Sequence, residues 1–167
     1  VGTAVISGVL ALLFVAGCVR GVVKTEIGPA EAGRKMMIAV YPTEYKNRVA
    51  QGLADRYRDR ANVTLLPIRD LKSVDHREYD ALVIIDQLMA WQMFNFESSW
   101  FIGKIEDPDE RRKIVLYLTA GSPKDDYKFK GIDAMTGATA MDREAETIDA
   151  ISGRIDALLA TPVQAID

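Results

Sequence analysis

Few residues in this sequence could do chemistry, and most of those are hydroxyls and aromatics. His76, the one histidine, sits in the polar stretch Ser73-Val74-Asp75-His76-Arg77-Glu78 with no ligand at a workable spacing. It reads as a solvated loop residue, not as a metal or acid–base centre, and no metal is expected. Ser98, Ser99 and Ser122 have no visible base, and no nucleophile elbow, phosphate-binding loop or zinc spacing occurs. Hydrolase and nucleoside-triphosphatase chemistry are set aside on those grounds. Trp91, Phe94, Phe96 and Trp100 cluster after a strongly apolar run. Aromatics so placed pack in a core, stack on a planar ligand or form a surface for another protein, and all three readings stay open. Hydroxyls and small residues gather at Thr119-Ala120-Gly121-Ser122 and again in Asp133-Ala134-Met135-Thr136-Gly137-Ala138-Thr139. From the residues alone, Thr139 reads as the cap of the last helix, with Asp142 in a capping-box-like place and Gly137 serving the turn.

Cys18 is the single cysteine, so no intrachain disulfide can form. It ends a run that carries no charge from Val1 to Val19 and is almost continuously apolar from Ala4 to Ala16. A spanning helix needs about 20 apolar residues. A signal peptide has an apolar stretch of roughly 7–15 followed by small residues, which suits this run better. Val15-Ala16-Gly17-Cys18 resembles a bacterial lipobox. That resemblance implies cleavage before Cys18, lipid on its thiol and residence outside the cytoplasm on a membrane. Residues 20–35, with Gly21, Gly28, Pro29 and Gly33, read as a tether.

The elements that must position the hydroxyls begin at Met36. Met36–Tyr41 is a short apolar run closed by Pro42-Thr43, the pattern of a strand buried on both faces. Tyr45, Val49, Leu53 and Tyr57 recur every four residues, which predicts a helix capped by Thr43. Val63–Ile68, Ala81–Ile85 and Ile114–Leu118 repeat the strand pattern, and a weak extended piece falls near Phe129–Met135. The run Glu106-Asp107-Pro108-Asp109-Glu110 reads as a turn and helix stop on a solvated corner, and Ala145 to Leu159 as a C-terminal helix. Strands alternating with helices imply an α/β, doubly wound parallel sheet over residues 36–162, with the order 2-1-3-4-5 expected and ligands bound outside the carboxyl ends of the strands. The 167 residues, 49% hydrophobic, suffice for one core. A net charge of −3 argues against nucleic acid as a partner.

Met36-Met37-Ile38-Ala39-Val40-Tyr41, Tyr79–Ile85 and Lys113–Thr119 together resemble the flavodoxin family over about 120 residues. The closest likeness is to flavodoxin-like proteins of unassigned function that carry an Ala-Trp pair after strand three, here Ala90-Trp91. The resemblance implies FMN as cofactor, with Tyr41, Thr43, Trp91, Thr119, Gly121 and Ser122 lining its site, and electron transfer to a redox partner. The loop Tyr41-Pro42-Thr43-Glu44-Tyr45-Lys46-Asn47 departs from the family in lacking glycine. Asp133-x-x-Thr136-Gly137-Ala138-Thr139 is similar to the segment at which exported FMN-binding proteins receive FMN through a phosphoester, which would make Thr139 the acceptor. The alternative is a flavodoxin-like lipoprotein without cofactor that serves as a docking or structural module.

Overall fold

A computed structural model describes residues 21–89, 94–122 and 127–160. The segment Val1–Val19 with Cys18, and the Ala90-Trp91 pair, lie outside the described residues. The chain is a mixed α/β domain around a mostly parallel sheet. Among the described residues its strands are β1 (Thr25–Ile27), β2 (Lys35–Val40), β3 (Asn62–Pro67), β4 (Ala81–Gln87), β5 (Ile114–Thr119) and, after a small hairpin of β6 (Lys128–Phe129) and β7 (Ile132–Asp133), β8 (Met135–Gly137). The sheet order is β1-β3-β2-β4-β5-β8, parallel throughout except for β1, which runs antiparallel to β3.

The central strands are apolar at most positions because both of their faces are covered. Met36, Ile38 and Val40 of β2 point into one core with α1 (Glu44–Tyr57) and α4 (Glu144–Leu159), whereas Met37 and Ala39 point into the other. That second core is closed by Ile68 and Leu71 of a short 3-10 turn and by Phe101 and Ile102 of α2 (Phe96–Lys104). α1 forms as its four-residue spacing predicts: Tyr45, Val49, Leu53 and Tyr57 are buried, and Thr43 caps it by accepting from Lys46 N at 3.3 Å. Full burial of a side chain such as Leu53 contributes about 1.5–3 kcal/mol, which outweighs a cap of about 1 kcal/mol.

Residues 25–27, read as tether, form β1, and Glu26 accepts from the buried Thr64 hydroxyl at 2.8 and 2.9 Å. Gly28 then turns the chain at φ 95°, where a side chain would meet the carbonyls of Arg58 and Ala61 at 2.5 Å. The Glu106–Glu110 run does not only stop a helix. Asp107 caps a new one, α3 (Pro108–Arg112), by accepting from Asp109 N at 2.8 Å. His76 sits in a 3-10 turn with its side chain only 19% exposed, 3.9 Å from Glu110. The weak extended piece is the β6–β7 hairpin, and β8 follows it.

Gly137 belongs to β8, not to a turn, and is needed for a different reason. It lies under the Tyr117 phenol, so that a Cβ there would collide with the Tyr117 hydroxyl. That hydroxyl is buried and stands 3.4 Å from the Tyr45 hydroxyl, which in turn meets Thr147 of α4 at 2.7 Å. Gly137→Ala should destabilise the domain by about 2–3 kcal/mol through overpacking. Tyr117→Phe added to it should restore part of that loss, measured as urea midpoints of the two single variants and the double; purely additive effects would show that the contact does not set the spacing.

Candidate functional site

The hydroxyl-bearing residues singled out in the sequence meet where the parallel strands end. The last residues of β4 and β5, Gln87 and Thr119, pair across the sheet, and Leu88 N donates to Thr119 O at 2.8 Å. β8 adds the third side, with Ala120 N donating to Gly137 O at 2.8 Å. Together these ends open a hollow of about 420 Å³ lined by Gln87, Leu88, Thr119, Gly121, Ala138 and Thr139. Such a crevice at the carboxyl ends of strands is where open α/β sheets bind ligands.

Thr139 is exposed on the lip of this hollow and caps nothing. A 3-10 turn at Met141–Arg143 intervenes, and α4 starts at Glu144 with Arg143 in the N-cap place and no side-chain cap. The cap reading of Thr139 is thereby overturned. Thr119 is buried and Gly121 and Ser122 are exposed, all three at the end of β5. Thr136 sits within β8 opposite Leu118. Asp133 is not brought to the crevice: it pairs with Lys128 at 2.9 Å and lines a hollow elsewhere. Tyr41 lines a neighbouring hollow of about 380 Å³ with Pro42, Pro67 and Asn95. Phe94 is core, stacked edge-on against Tyr127 and Phe129.

Next to the residues that line the two hollows are a buried acid and a buried base whose positions the sequence hid. Asp86, the penultimate residue of β4, is fully buried and accepts from Gln87 N at 2.8 Å and from Asn95 Nδ2 at 2.5 Å. Its other oxygen has no hydrogen-bond partner, and the equally buried Ser98 hydroxyl forms no bond to it, although Ser98 is near enough to act on it. Burial pushes the Asp86 carboxyl above the usual range, against the pull of Ser98, Asn95, Gln87 N–H and Lys46. Lys46, in the first turn of α1, is itself buried, with Nζ 5.0 Å from the centre of the Tyr41 ring and 3.5 Å from Gln87 Oε1. Burial lowers its ammonium and Asp86 raises it. Gln87 bonds to both Lys46 and Asp86 and also lines the crevice.

The residues around the crevice can be tested against the phosphate that the flavodoxin resemblance implies. The loop after β2 does not fit a free phosphate dianion: Pro42 has no N–H, Glu44 adds negative charge to the first turn, and the Thr43 oxygen already accepts from Lys46 N. Lys46 cannot help while its ammonium is held beneath Tyr41. Thr139, by contrast, stands exposed at the strand-end crevice, apart from that loop. Among the described residues no helix is long and apolar enough to cross a membrane, and no group of acids, histidines or cysteines could hold a metal ion.

No family model and no curated protein matches the chain. Among solved structures it is similar to a flavodoxin from the domain Archaea, at 8% identity and a TM-score of 0.48 over 75% of this chain and 99% of that one. It is also similar to oxidised Flavodoxin 2 from Bacillus cereus, at 14% identity and 0.48 over 75% and 97% of the two chains. Oxidised Flavodoxin 1 from the same organism matches at 9% identity and 0.43 over 73% and 97%. None of these similarities assigns a ligand or a reaction to this chain.

The sign of the Asp86 effect can be measured. A carboxyl raised above its unfolded value contributes stability that is full below that value and is lost as pH rises through the folded value. Asp86→Asn should therefore gain stability relative to the unaltered protein as pH rises above the ordinary carboxylate range, read as the difference in urea midpoint at each pH. A difference that stays constant would mean that the carboxyl is not raised.

Proposed function

We propose that this protein is a membrane-held, extracytoplasmic domain of flavodoxin-like fold that carries FMN at its strand-end crevice and passes electrons. Thr139 would hold the phosphate end as an ester, and Gln87, Thr119 and Gly121 are the residues that would hold the ring end. The observation that carries this reading is the position of Thr139, exposed on the lip of the hollow that also holds Thr119 and Gly121, with no capping duty. An ester there also removes the difficulty at the loop after β2, which does not fit a free phosphate. When bound, FMN supplies one- and two-electron redox chemistry. The chain's own contribution is to offer the Gln87 amide and the Thr119 side chain at the strand ends, with Lys46 and Asp86 buried behind Gln87. Support for membrane attachment comes from Val15-Ala16-Gly17-Cys18 and the apolar run before it.

A second reading has an observation in its favour. Phe96 and Trp100 stand one turn apart on α2, 75% and 44% exposed, and such a pair suits a protein surface better than solvent. On that reading the domain has no cofactor and docks a partner.

The protein purified from a host carrying a flavin transferase should be yellow, and its flavin should stay in the pellet after acid precipitation. Thr139→Ala should abolish the pellet colour. Flavin released to the supernatant would point to a non-covalent site, and a colourless protein that takes up no added FMN would end the redox reading in favour of docking. Separately, Cys18→Ala should move the protein from the membrane fraction to the soluble one; retention in membranes would indicate an uncleaved span.

A further inference from the structure

The chain is acidic overall, with a net charge of −3, yet one hollow concentrates cations. It measures about 500 Å³ and lies between α3, the turn of the β6–β7 hairpin, the start of β5 and the last turns of α4. It shares no lining residue with the crevice at the strand ends. It exists because β8 pairs only with Tyr117–Thr119, which leaves the Ile114–Leu116 edge of β5 without a neighbouring strand in the ladder. The hairpin stands beside that edge instead of closing it.

Arg111, Arg112, Lys130 and Arg154 line this hollow, against one carboxylate, Asp133. Asp133 is paired with Lys128, and Arg112 is paired with Asp109. Among the described residues Arg111 and Lys130 form no ion pair, while Arg154 acts on the Asp133 carboxylate, which is already paired with Lys128. Arg111 spends three of its donors on carbonyls, those of Ile105 at 2.6 Å, Glu106 at 3.0 Å and Lys130 at 3.2 Å, and keeps two N–H groups over. Arg154 donates to the Asp133 carbonyl at 2.7 Å. Carbonyls orient these guanidinium groups without neutralising them. The floor, by contrast, is apolar, with Ile114 and Ile132 buried and Leu158 beside them.

Lys130 adds an independent observation. It occupies the first turn position of the hairpin at φ 51°, followed by Gly131 at φ 85°. Two successive positive φ values make a turn that favours Asn or Asp before Gly, and a lysine there sacrifices stability. Arg111 grips the Lys130 carbonyl, so the strained turn is held at the lip of the hollow. A strained residue that brings an unpaired cation to a cavity is a pointer to a ligand.

We propose that this hollow binds a small phosphate ester with an apolar body. Arg111, Lys130 and Arg154 take the phosphate, and the body covers Ile114, Ile132 and Leu158. Guanidinium forks suit phosphate oxygens, and a volume of this size takes a compact organic molecule. The ester is either a soluble metabolite or the headgroup of a phospholipid.

The test is calorimetric titration of the full chain with phenyl phosphate, inorganic phosphate and dihexanoyl phosphatidic acid. Phenyl phosphate should bind with an affinity that falls as salt rises, and about tenfold more tightly than inorganic phosphate, because the ring covers the floor. Lys130→Asn should weaken it by about fivefold or more while the melting temperature stays level or rises, since Asn suits the turn. Arg154→Gln should weaken it likewise, and Lys72→Gln, an exposed cation on another element, should not. Tighter binding of the phosphatidic acid than of phenyl phosphate would identify the source as a lipid headgroup, and the reverse a soluble ester; either supports the site. No binding of any probe, or equal binding by Lys130→Asn, overturns it.

Discussion

The burial of the parallel ladder on both faces is the constraint from which the rest of this structure follows. Residues 36 to 40 and 81 to 86 are wholly removed from solvent, so a polar side chain within β2 or β4 has no water to turn to. Polar groups are accordingly displaced to the strand ends, where Asp86, Gln87 and Thr119 find partners in one another and in the loops beyond. Thr64 is the exception within β3, and it is buried only because Glu26 and Tyr79 reach its hydroxyl. The location of the candidate site is thus a by-product of how the core is made.

Covering one face takes two helices that must be held together, and here the fastening is polar at the rim. Arg56 reaches Ser152 and Asp149, and the Tyr57 hydroxyl donates to Asp156 and to the Ser152 carbonyl. The exposed ion pairs among these contribute little, in the range of about 0–1 kcal/mol each. The buried phenols matter more. Burial first, and the Tyr45 hydroxyl second, push the Tyr117 phenol up, so it stays neutral beneath α4 and above Gly137.

The strands and α1 were legible because unbroken apolar runs and a four-residue stripe have only one economical use. β1 was not, because Thr-Glu-Ile is too short and too polar to signal a strand, and its pairing depends on an edge of β3 that lies nearly forty residues away. The cap expectation for Thr139 failed on the 3-10 turn before α4, which moves the helix start to Glu144. Lys46 reads as a solvent-facing residue between apolar stripe positions, and only the tertiary fold turns it inward over β4. The basic hollow draws from residues 108 to 158, so no local spacing could announce it.

The antiparallel course of β1 bears on the proposed anchoring at Cys18. Before entering β1, Gly21, Val22 and Val23 lie against Tyr41, Pro42 and Pro67, at the end of the sheet where the strands finish. Cys18 is three residues earlier, at most about 11 Å of extended chain. With β1 stitched to the sheet, a lipid on Cys18 would have almost no leash. On that anchoring the domain would stand on the bilayer with its strand-end rim downward, within reach of a partner in the membrane plane.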